Sequence, residues 1–316
     1  MPKRAVAVLF AAFLALPVPA QQQPGDLEGY WSNTTLTPLE RPKELGNKAV
    51  FTPAEAAAYQ KRVLDAVNYD KRDPDPEQDV NRSYNELFRE RGTLVPDLRT
   101  SLIIDPPDGR IPALTAEGRK KAAARAADRR KRGPDPADSW EDRNLAERCL
   151  TRGAPKIPGG YNNNFQILQT PGYVVILQEM IHEARIIPLD VKEHMNPAVH
   201  SWLGDSVAHW EGRTLVVETT NYDDRIVMNS FNCCGLAGEH LKVTERFTRV
   251  SPDRIDYQYT VDDPYIYTQP WTASVPLTRI DGPVYEYACH EGNIAMIGML
   301  AGARAKEKQA QAKDHP

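Results

Sequence analysis

Leu241-Lys242-Val243-Thr244-Glu245-Arg246-Phe247, and after it Ile255-Asp256-Tyr257-Gln258-Tyr259-Thr260-Val261-Asp262-Asp263, decide the fold. Apolar and polar residues alternate at a period of two in both runs, the mark of strands with one buried face. Glu245 falls on the apolar side of the first run, among Leu241, Val243 and Phe247. Asp263 extends the apolar side of the second. A carboxylate inside a core is costly unless it is paired, hydrogen-bonded or functional. These two carboxylates therefore mark a candidate site, and they do so without naming a substrate.

Similar short runs cover 165–169, 172–179, 181–188, 214–222, 241–249, 255–262, 271–279 and 284–290. Eight runs at this spacing predict a mainly β fold, an antiparallel meander closed into a barrel or sandwich. Gly29-Tyr30-Trp31-Ser32-Asn33 reads as one more strand. Glu211-Gly212-Arg213 reads as a hairpin turn into Thr214-Leu215-Val216-Val217, with a loop and strand before it from Trp202 to Trp210. The helical additions are N-terminal. Thr52-Pro53-Ala54-Glu55 has a capping residue, a proline suited to the first turn and a capping-box glutamate, and predicts a helix to about Val67. A short helix is expected over 83–91. Asp105-Pro106-Pro107-Asp108-Gly109 predicts a reversal between two strands of a hairpin over 100–112. Thr115 then caps an alanine-rich, highly charged helix ending near Gly133.

The organisation that follows is a leader over 1–20, an N-terminal extension over 21–150, a barrel-like unit over 151–303 and a polar tail over 304–316. Lys3 and Arg4, the apolar run Ala5 to Leu16 and Val18-Pro19-Ala20 have the form of a secretory signal peptide. The expectation is an exported protein, periplasmic or extracellular, with no transmembrane segment, since no later stretch approaches the ~20 apolar residues a span requires. A net charge of −4 gives no general pull toward nucleic acid. Export permits disulfides. Cys149 and Cys289 can tie the N-terminal segment to the last strand, and Cys233-Cys234 are adjacent. Four cysteines allow three pairings, and the connectivity stays open, as does the oligomeric state.

Several other residues carry chemistry by type and position. Alternation in Val284-Tyr285-Glu286-Tyr287-Ala288-Cys289-His290 places Glu286, Ala288 and His290 on one strand face. A histidine beside a carboxylate is a natural proton shuttle near neutral pH. Its plainer reading is an outward polar face beside a disulfide. Glu179 and Arg185 share a face, which suits an internal ion pair or an arginine that holds an anion. For Glu245 the plain reading is a buried ion pair, with Arg225 or Arg279 as partner. For Asp263 it is a strand-ending turn. Trp271 and Tyr259 either fill the barrel or line a pocket, and Asn221 is a further polar contact for a ligand. His194, His200 and His209 are possible ligands whose spacing matches no zinc signature, so no metal site is assigned; a metal-dependent hydrolase would use His182, His194, His200 or His290. With no nucleophile elbow, phosphate loop or dinucleotide fingerprint, no organic cofactor is expected.

Arg99 to Arg110, Trp202-Leu203-Gly204-Asp205-Ser206, Trp210 to Val217, Asp262-Asp263-Pro264 with Pro270-Trp271, and Tyr287-Ala288-Cys289-His290-Glu291-Gly292-Asn293 together resemble a large family of exported, mostly uncharacterised bacterial proteins. The chain departs from that family's pattern at Arg213, where aspartate is usual. It departs again at Leu189 to His194, where an Asp-Gly-Arg-x-His run is usual. The resemblance implies the fold unit and export and carries no mechanism.

The leading expectation is an acid–base enzyme acting on a small apolar or aromatic metabolite as a lyase, hydratase, isomerase or cyclase. Glu245 would be the general acid or base and His290 or Asp263 its complement. Arg185, Trp271, Tyr259, Glu179 and Asn221 would shape the substrate site. The alternatives are a periplasmic small-molecule binding protein and a metal-dependent hydrolase. In each case the expected partner is a small molecule, and no nucleic acid is expected.

Overall fold

The computed structural model describes residues 25–80, 86, 89–133, 136–223 and 240–314. The expected leader, Cys233-Cys234, Arg225 and most of the expected 83–91 helix lie outside these residues.

The alternating runs form strands whose buried positions follow the period-two pattern. In β8 (Lys242–Ser251) Val243, Glu245, Phe247 and Arg249 are buried, and in β9 (Arg254–Asp262) Ile255, Tyr257, Tyr259 and Val261 are buried. Ahead of them in sequence come β1 (Gly29–Ser32), β2 (Ile103–Asp105), β3 (Asn164–Thr170), β4 (Tyr173–Gln178), β5 (Glu183–Pro188), β6 (Asp205–Glu211) and β7 (Thr214–Thr220), and β10 (Trp271–Arg279) follows. All pairings between these strands are antiparallel, in the order β5-β4-β3-β1-β10-β9-β8-β7-β6, with β2 added on β10. The sheet curls into a nearly closed barrel of nine strands. Its two edges, β5 and β6, approach where Leu189 and Ala208 make one isolated parallel bridge and Asp190 N–H donates to Ala208 O at 2.8 Å.

The N-terminal segment supplies β1 as the keystone between the β3-β4-β5 and β10-to-β6 meanders. Trp31 is fully buried there, opposite Phe165 and Arg279. Outside the barrel lie α1 (Pro53–Ala66), the short α2 (Pro76–Val80) and α3 (Ala116–Arg132). The expected capping box on α1 is present, with Thr52 and Glu55 exchanging hydrogen bonds. Thr115 caps α3 as expected and also donates to Tyr265 O, so the start of α3 is pinned to the turn between β9 and β10. Gly118 permits this close approach, because a Cβ there would overlap Ile266 O.

Three expectations are corrected. The 100–112 segment is not a hairpin. The turn forms, with Gly109 N–H bonded to Pro106 O, but β2 pairs with β10 and the return strand has no partner. The 284–290 run is not a strand. A strand needs a free neighbour, and β10 already has β9 on one side and β1 and β2 on the other. The chain instead leaves the barrel and enters an exposed helix, α4 (Ile294–Asp314), so the expected polar tail from 304 is helical through 314. A disulfide joins Cys149 to Cys289 across a sequence separation of 140. Asn293 Nδ2 donates to Glu147 O beside it, and Arg304 donates to Ala137 O and Asp138 O. Among the described residues no helix is long and apolar enough to cross a membrane.

Candidate functional site

Period-two alternation turns Arg185 of β5 inward together with Ile187, while Ile186 faces out. The same rule turns Thr219 of β7, Glu245 of β8 and Tyr257 of β9 inward. Ser206 of β6 joins them. Curling of the sheet brings these five side chains together. Arg185 Nη1 donates to Glu245 Oε1 at 3.1 Å and Nη2 to Oε2 at 2.6 Å, a two-pronged ion pair of the kind that planar guanidinium favours. Tyr257 OH donates to Oε1 at 2.7 Å. Arg185 Nη2 also reaches Ser206 Oγ at 3.2 Å and Thr219 Oγ1 at 3.3 Å, and those hydroxyls lie 2.9 Å apart.

The electrostatics follow from this enclosure. Burial lowers the pKa of Arg185, but the charge and hydrogen bonds of Glu245 outweigh it and hold the guanidinium firmly protonated. Burial, then the negative charge of Glu245, pushes the Tyr257 phenol well above its ordinary value. Tyr259 is raised by the same two causes. Phe247, Tyr257, Tyr259, Trp271 and Tyr267 form a ladder of ring contacts with successive centroids 4.5, 5.8, 5.9 and 6.4 Å apart. Tyr259 and Trp271 both lie in the core, and neither Tyr259 OH nor Trp271 Nε1 has a hydrogen-bond partner.

A small cavity, with room for about one water, lies beside the ion pair. Phe165, Ile167, Ile176, Phe247 and Leu277 make its apolar wall; Gln178, Arg185, Glu245, Tyr257 and Lys156 bring polar atoms to it. Gln178 Oε1 and Arg185 Nε are buried and have no hydrogen-bond partner. Most buried polar atoms are satisfied, so an unpaired acceptor and an unpaired donor on one cavity single out this place. Lys156 had no signal in strand periodicity, since it sits in the loop before β3. The available hint was a lone lysine inside Ala154-Pro155-Lys156-Ile157-Pro158. Burial pulls its ammonium down to about 7, against the attraction of Glu179 and Glu90. Its Nζ donates to Asn162 O and stands 5.4 Å from the centre of the Phe165 ring.

The remaining candidate residues are dispersed. Glu179 is buried at the turn after β4, where its backbone N–H donates to Asn164 O; it is a charge near Lys156, and the partner of Arg185 is Glu245 instead. Asp263 is 1% exposed, and its Oδ1 accepts from the N–H groups of Tyr265 and Ile266 at 3.1 and 3.2 Å, shaping the turn that receives α3. It sits four residues along the strand direction from the level of Glu245, roughly 13 Å at strand rise. His290 is exposed in the loop next to the disulfide. Asn221 braces a loop at the barrel end, its Nδ2 donating to Met195 O and Asn196 O. Arg279, the other suggested partner of Glu245, lies opposite Trp31 on β1. Among the described residues no cluster of three or more His, Cys, Asp or Glu is placed to hold a metal ion.

Comparison of the chain with protein-family models, with curated proteins and with solved structures found no match.

Proposed function

We propose that the protein is an exported small-molecule binding barrel. Its ligand is a small, mostly apolar molecule carrying one polar group, and it enters by displacing the side chains that line the cavity. The observation that carries this reading is the pair of unpartnered buried atoms, Gln178 Oε1 and Arg185 Nε, on a cavity otherwise walled by Phe165, Ile167, Ile176, Phe247 and Leu277. Small-molecule sites have this composition, an apolar wall with a few fixed polar atoms that set orientation. A ligand that offers a donor to Gln178 and an acceptor to Arg185 satisfies both.

Acid–base catalysis is less well supported by the same geometry. Both oxygens of Glu245 already accept hydrogen bonds from Arg185 and Tyr257, and neither His290 nor Asp263 shares its surroundings. General acid–base chemistry needs both groups within reach of one substrate. The signal-like residues 1–20, together with the Cys149–Cys289 disulfide, support a location outside the reducing cytosol.

Thermal unfolding with benzyl alcohol, benzamide and benzoate tests this reading. At least one should raise the melting temperature of the wild type, since a ligand at 100 times its dissociation constant adds about 2.7 kcal/mol. Ile176→Phe, which fills the cavity, should remove the shift. If none of the three stabilises the wild type, or if Ile176→Phe responds equally, the binding reading is wrong.

A further inference from the structure

Asp138 joins the end of α3 to the middle of α4. Arg132 Nη2 donates to its Oδ2 at 3.0 Å, and Arg304 Nη1 donates to its backbone O at 2.7 Å. The start of α4 is tied down as well, by Asn293 Nδ2 on Glu147 O and by the Cys149–Cys289 bond. The first three turns of α4 therefore lie along the 137–149 segment. Met296, Met299, Leu300 and Ala303 are partly buried there. On the other side of the helix Ile294 and Ile297 are 75% and 70% exposed, and no charged residue occurs from Ile294 to Ala303. Trp140, two residues beyond Asp138, is 51% exposed, with the Arg148 guanidinium 4.5 Å from its ring. Large apolar side chains grouped on one exposed surface mark an interaction site.

The charge around this surface says what covers it. The chain as a whole has a net charge of −4. Against that, α3 carries eight basic and two acidic side chains, and its last turns leave Arg129, Arg130 and Lys131 exposed. The later half of α4 adds four basic and two acidic side chains. We propose that this surface docks on an anionic phospholipid membrane, with Ile294, Ile297 and Trp140 at the headgroup–acyl boundary and Arg129, Arg130 and Lys131 against the phosphates. A bilayer of that composition matches both properties, since it takes apolar and indole side chains at its interface and attracts clustered Lys and Arg. A soluble polyanion would use the charge and leave Ile294 and Ile297 in water. A second copy would cover the isoleucines but bring two basic α3 ends together. This surface shares no residue with the cavity, so the inference goes beyond the binding reading and stands apart from it.

The test is cosedimentation of the mature protein with lipid vesicles. One set contains equal parts of phosphatidylglycerol and phosphatidylcholine, and the other phosphatidylcholine alone. The wild type should bind the anionic vesicles at least about tenfold more tightly than the neutral ones, and raising the salt should erase most of that difference. Arg129→Ala/Arg130→Ala/Lys131→Ala should weaken anionic binding by roughly 100-fold, at about 1 kcal/mol for each charge. Ile294→Glu/Ile297→Glu should weaken it by at least about tenfold with the melting temperature unchanged, because both side chains already face water. Failure of the wild type to sediment with anionic vesicles overturns the proposal without recourse to any variant. Equal binding to both vesicle types, or undiminished binding by the isoleucine variant, also overturns it. So does sedimentation velocity that finds a wild-type dimer and a monomeric Ile294→Glu/Ile297→Glu, since the surface then pairs two copies of the chain.

Discussion

Arg185 and Glu245 meet across the seam of the barrel. Arg185 lies on β5, one edge of the sheet, and Glu245 lies on β8, the third strand in from the other edge. Between those edges the backbone contributes one isolated bridge and one adjoining hydrogen bond. The ion pair, with Ser206 and Thr219 on the strands between, is therefore a side-chain clasp over the place where backbone pairing gives out.

Removing one half of this clasp should be much worse than removing both. Glu245→Gln leaves a buried guanidinium without its counter-charge and should cost about 3–5 kcal/mol. The double variant Arg185→Met/Glu245→Leu should recover most of that loss, since apolar groups of similar volume avoid the desolvation penalty. Urea unfolding of the three proteins measures this. A single-variant loss under about 1 kcal/mol means the pair contributes no closure.

Two neighbouring tyrosines should respond in opposite ways to loss of the hydroxyl. Tyr257→Phe deletes a hydrogen bond to a charged carboxylate and should cost about 1.5–3 kcal/mol. Tyr259→Phe deletes a buried hydroxyl that has no partner and should be neutral or slightly stabilising. Equal losses in chemical denaturation would show that Tyr259 OH is satisfied in solution.

Lys156 should make stability rise with pH across a defined window. Its ordinary pKa is 10.5 and its folded value is about 7. Below pH 7 both folded and unfolded chains carry the charge, and the burial penalty is present in full. Between 7 and 10.5 the unfolded chain binds the proton that the folded one sheds, so stability increases with pH. The rise attributable to this group is of the order of several kcal/mol. Lys156→Met should therefore be more stable than wild type at pH 7, with the gap closing by pH 9.5. Parallel stability curves for the two proteins would remove Lys156 as the cause.

Cys149→Ser should lower unfolding stability by about 2–5 kcal/mol. Its first visible effect should be proteolytic release of α4, which is otherwise held by Asn293 and Arg304. Unchanged protease resistance of residues 294–314 in the variant contradicts that role.

The inward direction of Glu245 and Asp263 was legible because strand alternation is local and β8 and β9 keep it over their length. The same rule placed Arg185 inside. What alternation cannot state is which inward groups meet, because that is set by the curl of the sheet and the approach of β5 to β6. Arg185 was accordingly matched with Glu179, its neighbour along the chain, and Glu245 with Arg225 or Arg279. The run ending in Cys289 has good strand composition and still fails, because strand formation depends on an open edge as much as on residue type. Lys156 escaped notice for a different reason: a loop lysine becomes unusual only through what packs over it.

The Cys149–Cys289 bond also changes the topology of the molecule. It encloses β3 through β10 in one covalent circle, while β1, β2 and the first three helices lie on an arm outside it and α4 on another. One backbone cut in the loop 191–200 would open that circle without detaching any strand, leaving two chains that the disulfide still holds together. A cut in the arm before Cys149 has no such safeguard, and it would free the keystone strand β1 from the chain that surrounds it.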